Sequence, residues 1–492
     1  MDKSSPKYIP TIGLEIHAEL KTASKMFCSC ANNPDEERPN VNICPICLGH
    51  PGTLPVLNKE AIKSVLKIGV AVDGTLADFT EWDRKNYFYP DIPKGYQISQ
   101  YAYPLISGGT LAGVKLERIH LEEDTAQSTH DTHEKSLVNF NRSGVPLMEL
   151  VTTPTIHDAK TATNFAKELQ LLLRYLDAGE ANMEKGEMRV EANISVASAE
   201  DTGAKKFGTK TEVKNLNSFR AVEGAIAFEI ERQIELLEAG EKVVQETRGW
   251  DDKNNETYSQ RSKESSHDYR YFPDPDIPKL KISEIPEFSK ATLTKELVEL
   301  PWIRRERFKK DFGATDKEAE VFVDDDKSVL TKYFEAIVAK LSNKDQKNAR
   351  LVLNYVLTDY LGLLKKTYST ESLANISIVN PANFAELIDM ISKGDVSSSG
   401  AKKILSLMVT DEVSKDISPK KLADKNGLIQ KSDAASLEPA IEKVIADNAS
   451  VVAEYRAGKV TSIQFLIGQA MKATKGAANP AVIKELLVKK LG

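Results

Sequence analysis

The chain has 492 residues, 28% charged and 41% hydrophobic, an ordinary soluble composition with length for two or three domains. No run approaches the ~18 apolar residues of a membrane span, and "MDKSSPKYIPTIGLEIH" at the start lacks a secretory core, so a cytoplasmic protein with no membrane partner is expected. The formal net charge of −6 excludes a global basic field, so a nucleic-acid partner must be met by a local patch.

In chain order, "TIGLEIHAEL" (11–20) alternates as a strand. Glu15 and His17 fall on one face, while Ile12, Leu14 and Ile16 point to a core. A Glu beside a His suits a hard-to-borderline cation, or simply an exposed polar face. All the chain's cysteines follow within twenty residues: Cys28, Cys30, then thirteen residues, then Cys44 and Cys47. Two knuckles offering two thiolates each suit tetrahedral zinc. A closed four-sulfur site has no open position, so its expected role is structural: it pins the polar loop "ANNPDEERPNVNI".

"NKEAIKSVLKIGVAV" (58–72) reads as a helix. The loop "DRKNYFYPDIPKGYQISQY" (83–101) interleaves Arg84, Lys85 and Asn86 with Tyr87, Tyr89, Tyr96 and Tyr101, which suits stacking with phosphate contact or plain loop packing. "RIHLEEDTAQSTH" (118–130) sets Glu122, Glu123 and Asp124 in succession, a repulsive run unless a cation or Lys/Arg is near. "GVPLMELVTTP" (144–154) is nearly all apolar except Glu149. A lone buried carboxylate costs several kcal/mol unless it is paired, here with Arg142 as the candidate, or metal-bound. A shared divalent-cation site among Glu15, His17, one or two of 122–124, and Glu149 is therefore expected.

Helices are predicted at 158–176 and 218–240, and strands at 188–196 and 208–216. The strands present Arg189, Glu191 and Asn193, then Lys210, Glu212 and Lys214, either a groove for phosphates or a solvated face. The Pro-dense run 273–286 reads as a boundary. Helical spacing follows at 349–366, 381–394, 400–409 and 479–491, with polar connectors at 393–403 and 417–427. The last 42 residues carry seven Lys and Arg against two Glu, a local charge of +5 that is either a solvated helix face or a phosphate-facing module. No G-x-x-x-x-G-K-[ST], H-E-x-x-H or G-x-S-x-G motif is present, which leaves carboxylate-bound metal and scattered basic residues to handle any nucleotide.

The expected fold class is α+β. A strand-rich cradle (1–293, with the zinc knuckle at 28–47) is followed by a helical domain (294–410) and a small basic helical tail (411–492).

"GLEIHAELKTASKMFCSC", "CPICLGHPGTLPVLNKEAI", "DRKNYFYPDIPKGYQISQY", "HLEEDTAQSTH", "NFNRSGVPLMELVTTP", "MRVEANISV", "KTEVKNLNSF", "QETRGWDD" and "SKESSHDYRYFPDPDIP" together resemble the B-subunit family of the aspartyl/glutamyl-tRNA amidotransferases. The resemblance runs from about residue 8 to the C-terminus and is most specific across 8–280. It implies a carbon–nitrogen ligase with glutamine as nitrogen donor. ATP would phosphorylate the side-chain carboxylate of Glu-tRNA(Gln) or Asp-tRNA(Asn), and ammonia would displace the phosphate. It implies ATP, Mg2+ and a structural Zn2+ as cofactors. The implied partners are a glutaminase A subunit, a small C subunit and the misacylated tRNA. On this resemblance Glu15, His17, Glu123 and Glu149 hold magnesium. Asp124, Lys85, Lys210 and Lys214 join them in catalysis, Arg189, Glu191, Asn193 and Glu212 line the nucleotide site, and the tail contacts tRNA. The competing reading is a non-catalytic, zinc-containing tRNA-binding scaffold, which has no need of acids on core strands.

Overall fold

A computed structural model describes residues 7–130, 135–203, 206–262, 269–368, 376, 378–411, 417–430, 434–474 and 478–492. The fold is α+β, and the chain divides into one unit ending at Pro301 and another beginning at Trp302. No described helix is long and apolar enough to cross a membrane.

The site-bearing elements of the first unit, in chain order, begin with β1 (Tyr8–Glu19), α1 (Lys59–Ala71), β2 (Asp83–Asn86), β3 (Tyr96–Ser99), β4 (Val114–Glu123) and β5 (Pro146–Thr152). They continue with α2 (Ala159–Tyr175), β6 (Met188–Ser198), β7 (Thr211–Leu216), α3 (Phe219–Glu238), β8 (Glu246–Asp251) and β9 (Glu256–Ser262). The main sheet runs β9-β8-β7-β6-β1-β5-β4 and continues into two short strands, Ile106–Ser107 and Thr75–Leu76. Its named neighbours are antiparallel except β7 and β8.

The alternation in β1 explains its central place. Ile12, Leu14 and Ile16 are buried, as are Val190, Ala192 and Ile194 of β6, Met148 and Leu150 of β5, and Ile119 and Leu121 of β4. Each fully buried aliphatic side chain contributes ~1.5–3 kcal/mol. Helices α1, α2 and α3 pack against the strands. Asp158 caps α2 by accepting from Thr161 N at 2.8 Å, and Ser218 caps α3 by accepting from Ala221 N at 3.0 Å. An antiparallel sheet with one face in the core leaves the other free for polar groups.

The Pro-dense run 273–286 lies within the first unit, ahead of its end at Pro301. Phe272–Pro273 pairs with β2, and Leu280–Lys281 pairs with Phe79–Thr80, all inside the first unit.

The second unit is helical, with one core around Phe308, Phe322, Phe334, Tyr360 and Phe384 and another around Leu437, Ile441, Leu466 and Ile483. Three local readings need correction. The segment 349–366 is not one regular helix: a π-helical stretch, Tyr355–Tyr360, lies between Gln346–Asn354 and Leu361–Tyr368. Its five-residue hydrogen-bond step suits Tyr355 and Tyr360, which are both buried. The connector 417–427 contains a helix, Pro419–Lys425, that buries Leu422 and Ala423. Its Ser cap and Pro at the first position are a start signal visible in the sequence. The connector 393–403 is shorter than read, because Ser397 already caps the helix Ser398–Thr410.

Candidate metal centres and the acidic sheet face

Strand register gathers the polar groups. His17 on β1 lies opposite Glu149 on β5 and Arg189 on β6, Glu15 lies opposite Glu191, and Glu149 lies opposite His120 on β4. Directly opposed residues share a face, and alternation along β4 adds Arg118 and Glu122 to it.

The geometry is compact. His17 Nε2 is 3.4 Å from Glu149 Oε2, 3.8 Å from Glu122 Oε1 and 3.9 Å from Glu15 Oε1. His120 Nε2 is 3.4 Å from the same Glu149 Oε2 and 3.9 Å from Glu122 Oε2. Arg118 approaches the other Glu149 oxygen at 3.7 Å. The potential ligand atoms form two triads, Glu15–His17–Glu149 and His120–Glu122–Glu149.

These neighbours reset the protonation states. Burial disfavours the His17 cation, but Glu149, Glu122 and Glu15 outweigh it and push its pKa up to about 9. Burial likewise opposes ionisation of Glu149, yet His120 and His17 hold its carboxyl well below the usual range. Burial and the charge of Glu149 raise Glu15. For His17 the shift stabilises the fold fully below pH about 6.5, and that contribution is lost as pH rises through about 9. A cation bound by this nitrogen must displace its proton.

Lys85, on β2, carries its ammonium 5.2 Å from the Tyr269 ring centre. Burial works against its charge, but Glu122, Tyr271 and Glu149 more than offset that and raise its pKa. Tyr101 and Tyr271 stack with centroids 4.4 Å apart. Further along the sheet, Lys214 Nζ lies 2.8 Å from Glu191 and 3.6 Å from Glu212, whose Oε2 accepts from Thr247 Oγ1 at 3.0 Å. Asn193, opposite Glu212, keeps a buried Oδ1 without a hydrogen-bond partner.

Three expected members lie elsewhere. Glu123 alternates to the opposite side of β4, where its Oε1 takes Lys94 Nζ at 2.6 Å and the Ile98 N–H at 3.0 Å. There it lines a cavity of about 220 Å³ with Cys28, Cys47, Arg84, Lys94 and Tyr96. Asp124 is engaged by Arg189 at 2.6 Å and Arg142 at 3.4 Å, and burial beside it pushes Glu19 up to about 8. Arg142 therefore sits at Asp124, and the partners of Glu149 are the two imidazoles and Arg118. Lys210 is exposed and lies one residue before β7, outside the strand that carries Glu212 and Lys214.

Of the acid run, Glu122 is the member at the cluster. His120 was absent from the expected set, although the spacing that pairs Glu15 with His17 also pairs His120 with Glu122.

The cysteines converge as a second centre. The sulfurs of Cys28, Cys30, Cys44 and Cys47 lie within 4.8 Å of one another, with Cys44 and Cys47 at 3.9 Å. Four ligands at the ~2.3 Å Zn–S length are about 3.8 Å apart, so the donor set fits zinc. Hydrogen bonding from Cys28 leads the causes that push Cys47 down to about 5, with the Cys44 backbone and the Lys25 ammonium adding to it. Lys25 is buried at 1% exposure, 4.0 Å from that sulfur, and donates to Asn42 O at 2.8 Å and Phe140 O at 3.3 Å. The intervening loop is tied down by Asn141, whose Oδ1 accepts from Val41 N at 2.9 Å and Asn42 N at 3.0 Å.

Residues 10–286 match the GatB/GatE catalytic domain, and residues 332–491 match the GatB domain. A protein of Crocosphaera subtropica is 42% identical over 508 residues, covering 99% of this chain and 98% of its own. One of Thermodesulfovibrio yellowstonii is 42% identical (98% and 99% covered), and one of Caldicellulosiruptor bescii is 40% identical (99% of each). All three carry the name of the B subunit of aspartyl/glutamyl-tRNA(Asn/Gln) amidotransferase. With both domains matched in order and identity sustained along nearly the whole length, the chain belongs to the family of aspartyl/glutamyl-tRNA(Asn/Gln) amidotransferase B subunits.

Proposed function

We propose that this chain is the kinase and transamidation subunit of a tRNA-dependent amidotransferase. It activates the side-chain carboxylate of Glu-tRNA(Gln) or Asp-tRNA(Asn) with ATP and converts it to the amide. The nitrogen comes from glutamine through a glutaminase A subunit, and a small C subunit completes the complex in the cytoplasm. The carrying observation is the group of Glu15, His17, Glu122 and Glu149 on one sheet face with Lys85 beside it. This donor set fits Mg2+: carboxylate oxygens of Glu15, Glu122 and Glu149 each come within 3.9 Å of His17 Nε2, and Glu122 Oε2 is buried without a hydrogen-bond partner. Bound there, the ion would neutralise polyphosphate charge as the phosphoryl group moves.

The chain's own groups do the rest. Lys85, held charged by its acidic neighbours, offers a fixed positive charge to a phosphate oxygen. Lys214, held charged by Glu191 and Glu212 against its burial, offers a second along the sheet. The rings of Tyr101 and Tyr271 suit stacking against an unpaired base of the acceptor end. The cysteine cluster holds zinc and keeps the 31–43 loop in place.

The deciding experiment measures ADP release by the assembled enzyme with and without misacylated tRNA. Stimulation by Glu-tRNA(Gln) or Asp-tRNA(Asn), but not by the uncharged tRNA, is expected. Normal tRNA affinity with no stimulated hydrolysis would favour the scaffold reading.

The tail supplies phosphate contacts in this proposal. Lys459 and Lys490 are paired with Glu454 and Glu442 at 2.9 and 2.6 Å, whereas Lys472, Lys484 and Lys489 are exposed. Replacing these three with Ala is expected to weaken tRNA binding and to flatten its log–log salt slope by about 2.1–2.7, at ~0.7–0.9 per lost phosphate contact. An unchanged slope would remove the tail from the interface.

A further inference from the structure

Lys25 is almost wholly buried, and no carboxylate pairs with it among the described residues. An ammonium in such a place is costly unless its three N–H groups are met and an opposing charge is near. Two of the three are met by carbonyls, Asn42 O at 2.8 Å and Phe140 O at 3.3 Å. The third faces Cys47 Sγ at 4.0 Å, a buried sulfur that also accepts from the Cys44 N–H at 3.1 Å. The backbone holds the lysine there. Its own N–H donates to Cys30 O at 3.0 Å, the N–H of Met26 donates to Gly144 O at 2.7 Å, and its carbonyl accepts from Asn58 Nδ2 at 3.2 Å.

The cysteines carry the opposing charge once a metal has made them thiolates. Four thiolates about one Zn2+ have a formal charge of −2, and Cys28 and Cys47 keep part of it away from water.

We propose that Lys25 is the fixed counter-charge of the zinc–thiolate cluster, a positioning residue that faces Cys47 rather than the metal and sets how tightly the knuckle keeps its ion. The proposal rests on the zinc reading above and names the group of this chain that sustains it. Carbonyl pairing alone does not call for a cation, because a neutral amide can donate to the same oxygens. The positive charge is needed by the sulfur: at 4.0 Å it offsets half the formal charge of the cluster where water screens little. The same ammonium joins the 31–43 loop, through Asn42, to the approach to β5, through Phe140. Metal, loop and sheet are thereby fastened at one point.

The test uses the full chain and two variants, Lys25→Met and Lys25→Gln. Zinc affinity is measured by competition with a chromophoric chelator, and the sulfur-to-cobalt charge-transfer band is recorded after Co2+ replaces zinc. Both variants are expected to hold zinc about 10–100-fold more weakly than the unaltered chain, the usual cost of losing a partner that supports a metal ligand. The cobalt band should move to lower energy, because a thiolate without a neighbouring cation gives up electron density more readily. A circular dichroism melt in excess zinc reports the fold. Should Lys25→Met fail to fold, Lys25→Gln, which keeps N–H donors for the carbonyls, carries both measurements. Unchanged affinity would overturn the role of Lys25 and leave the zinc reading standing. Weaker binding with an unshifted cobalt band would reduce Lys25 to a packing role and overturn the counter-charge. Failure of the unaltered chain to bind zinc or Co2+ would overturn the zinc reading itself.

Discussion

Glu149→Gln should abolish amide formation, by about 10³-fold or more, while leaving the fold intact. Glutamine keeps the shape but loses the charge on which both imidazoles depend, because His17 and His120 each face Glu149 Oε2 at 3.4 Å. Loss of one fixed electrostatic group at a reacting centre commonly costs ~10²–10³. Here the same carboxylate also serves both metal triads, which raises the expectation. The pKa of His17 should fall from about 9 towards its ordinary value, because Glu149 leads the groups that raise it. The measurements are amide formation with ammonium as nitrogen donor, which bypasses the glutaminase, and an NMR titration of the histidines. Full turnover by the variant would remove this carboxylate from the chemistry.

Removing the zinc should have the second large effect, on the loop rather than on the reaction. Protein purified without chelator is expected to carry about one zinc per chain, and Cys47→Ser to carry essentially none. Cys47 is buried next to Lys25, and its carbonyl accepts from Ser143 Oγ at 3.3 Å, so the knuckle is sewn to the segment leading into β5. Without the metal, 31–43 keeps its Asn141 bonds but loses both anchored ends. Limited proteolysis within the loop should accelerate at least tenfold. Ammonium-dependent amide formation should survive, because no sulfur is among the atoms at the acidic cluster. Zinc-free preparations with an unchanged digestion pattern would argue against a structural metal.

Much of this protein could be read from its residues in order. The alternation of 11–20 set Ile12, Leu14 and Ile16 inward and Glu15 and His17 outward, as observed. Capped helices appeared at α2 and α3 because Asp158 and Ser218 satisfy backbone donors within their own first turns. The cysteine spacing announced four converging sulfurs. Each of these is a local property, governed by a period or by a side chain bonding a few residues away.

What the order of residues left open depends on register across strands. In the run 122–124, alternation separates Glu122 from Glu123, but only pairing of β4 with β5 shows which face meets His17. Arg142 is near Glu149 in sequence, yet the turn before β5 delivers it to Asp124. His120 joined the site because β5 lies between β1 and β4 and brings Glu149 within reach of an imidazole on each side. Side-chain periodicity is encoded within a strand, whereas the choice of neighbouring strand is a global packing result. The residue types present were therefore set by sequence, and their assembly around a common point was decided by the sheet.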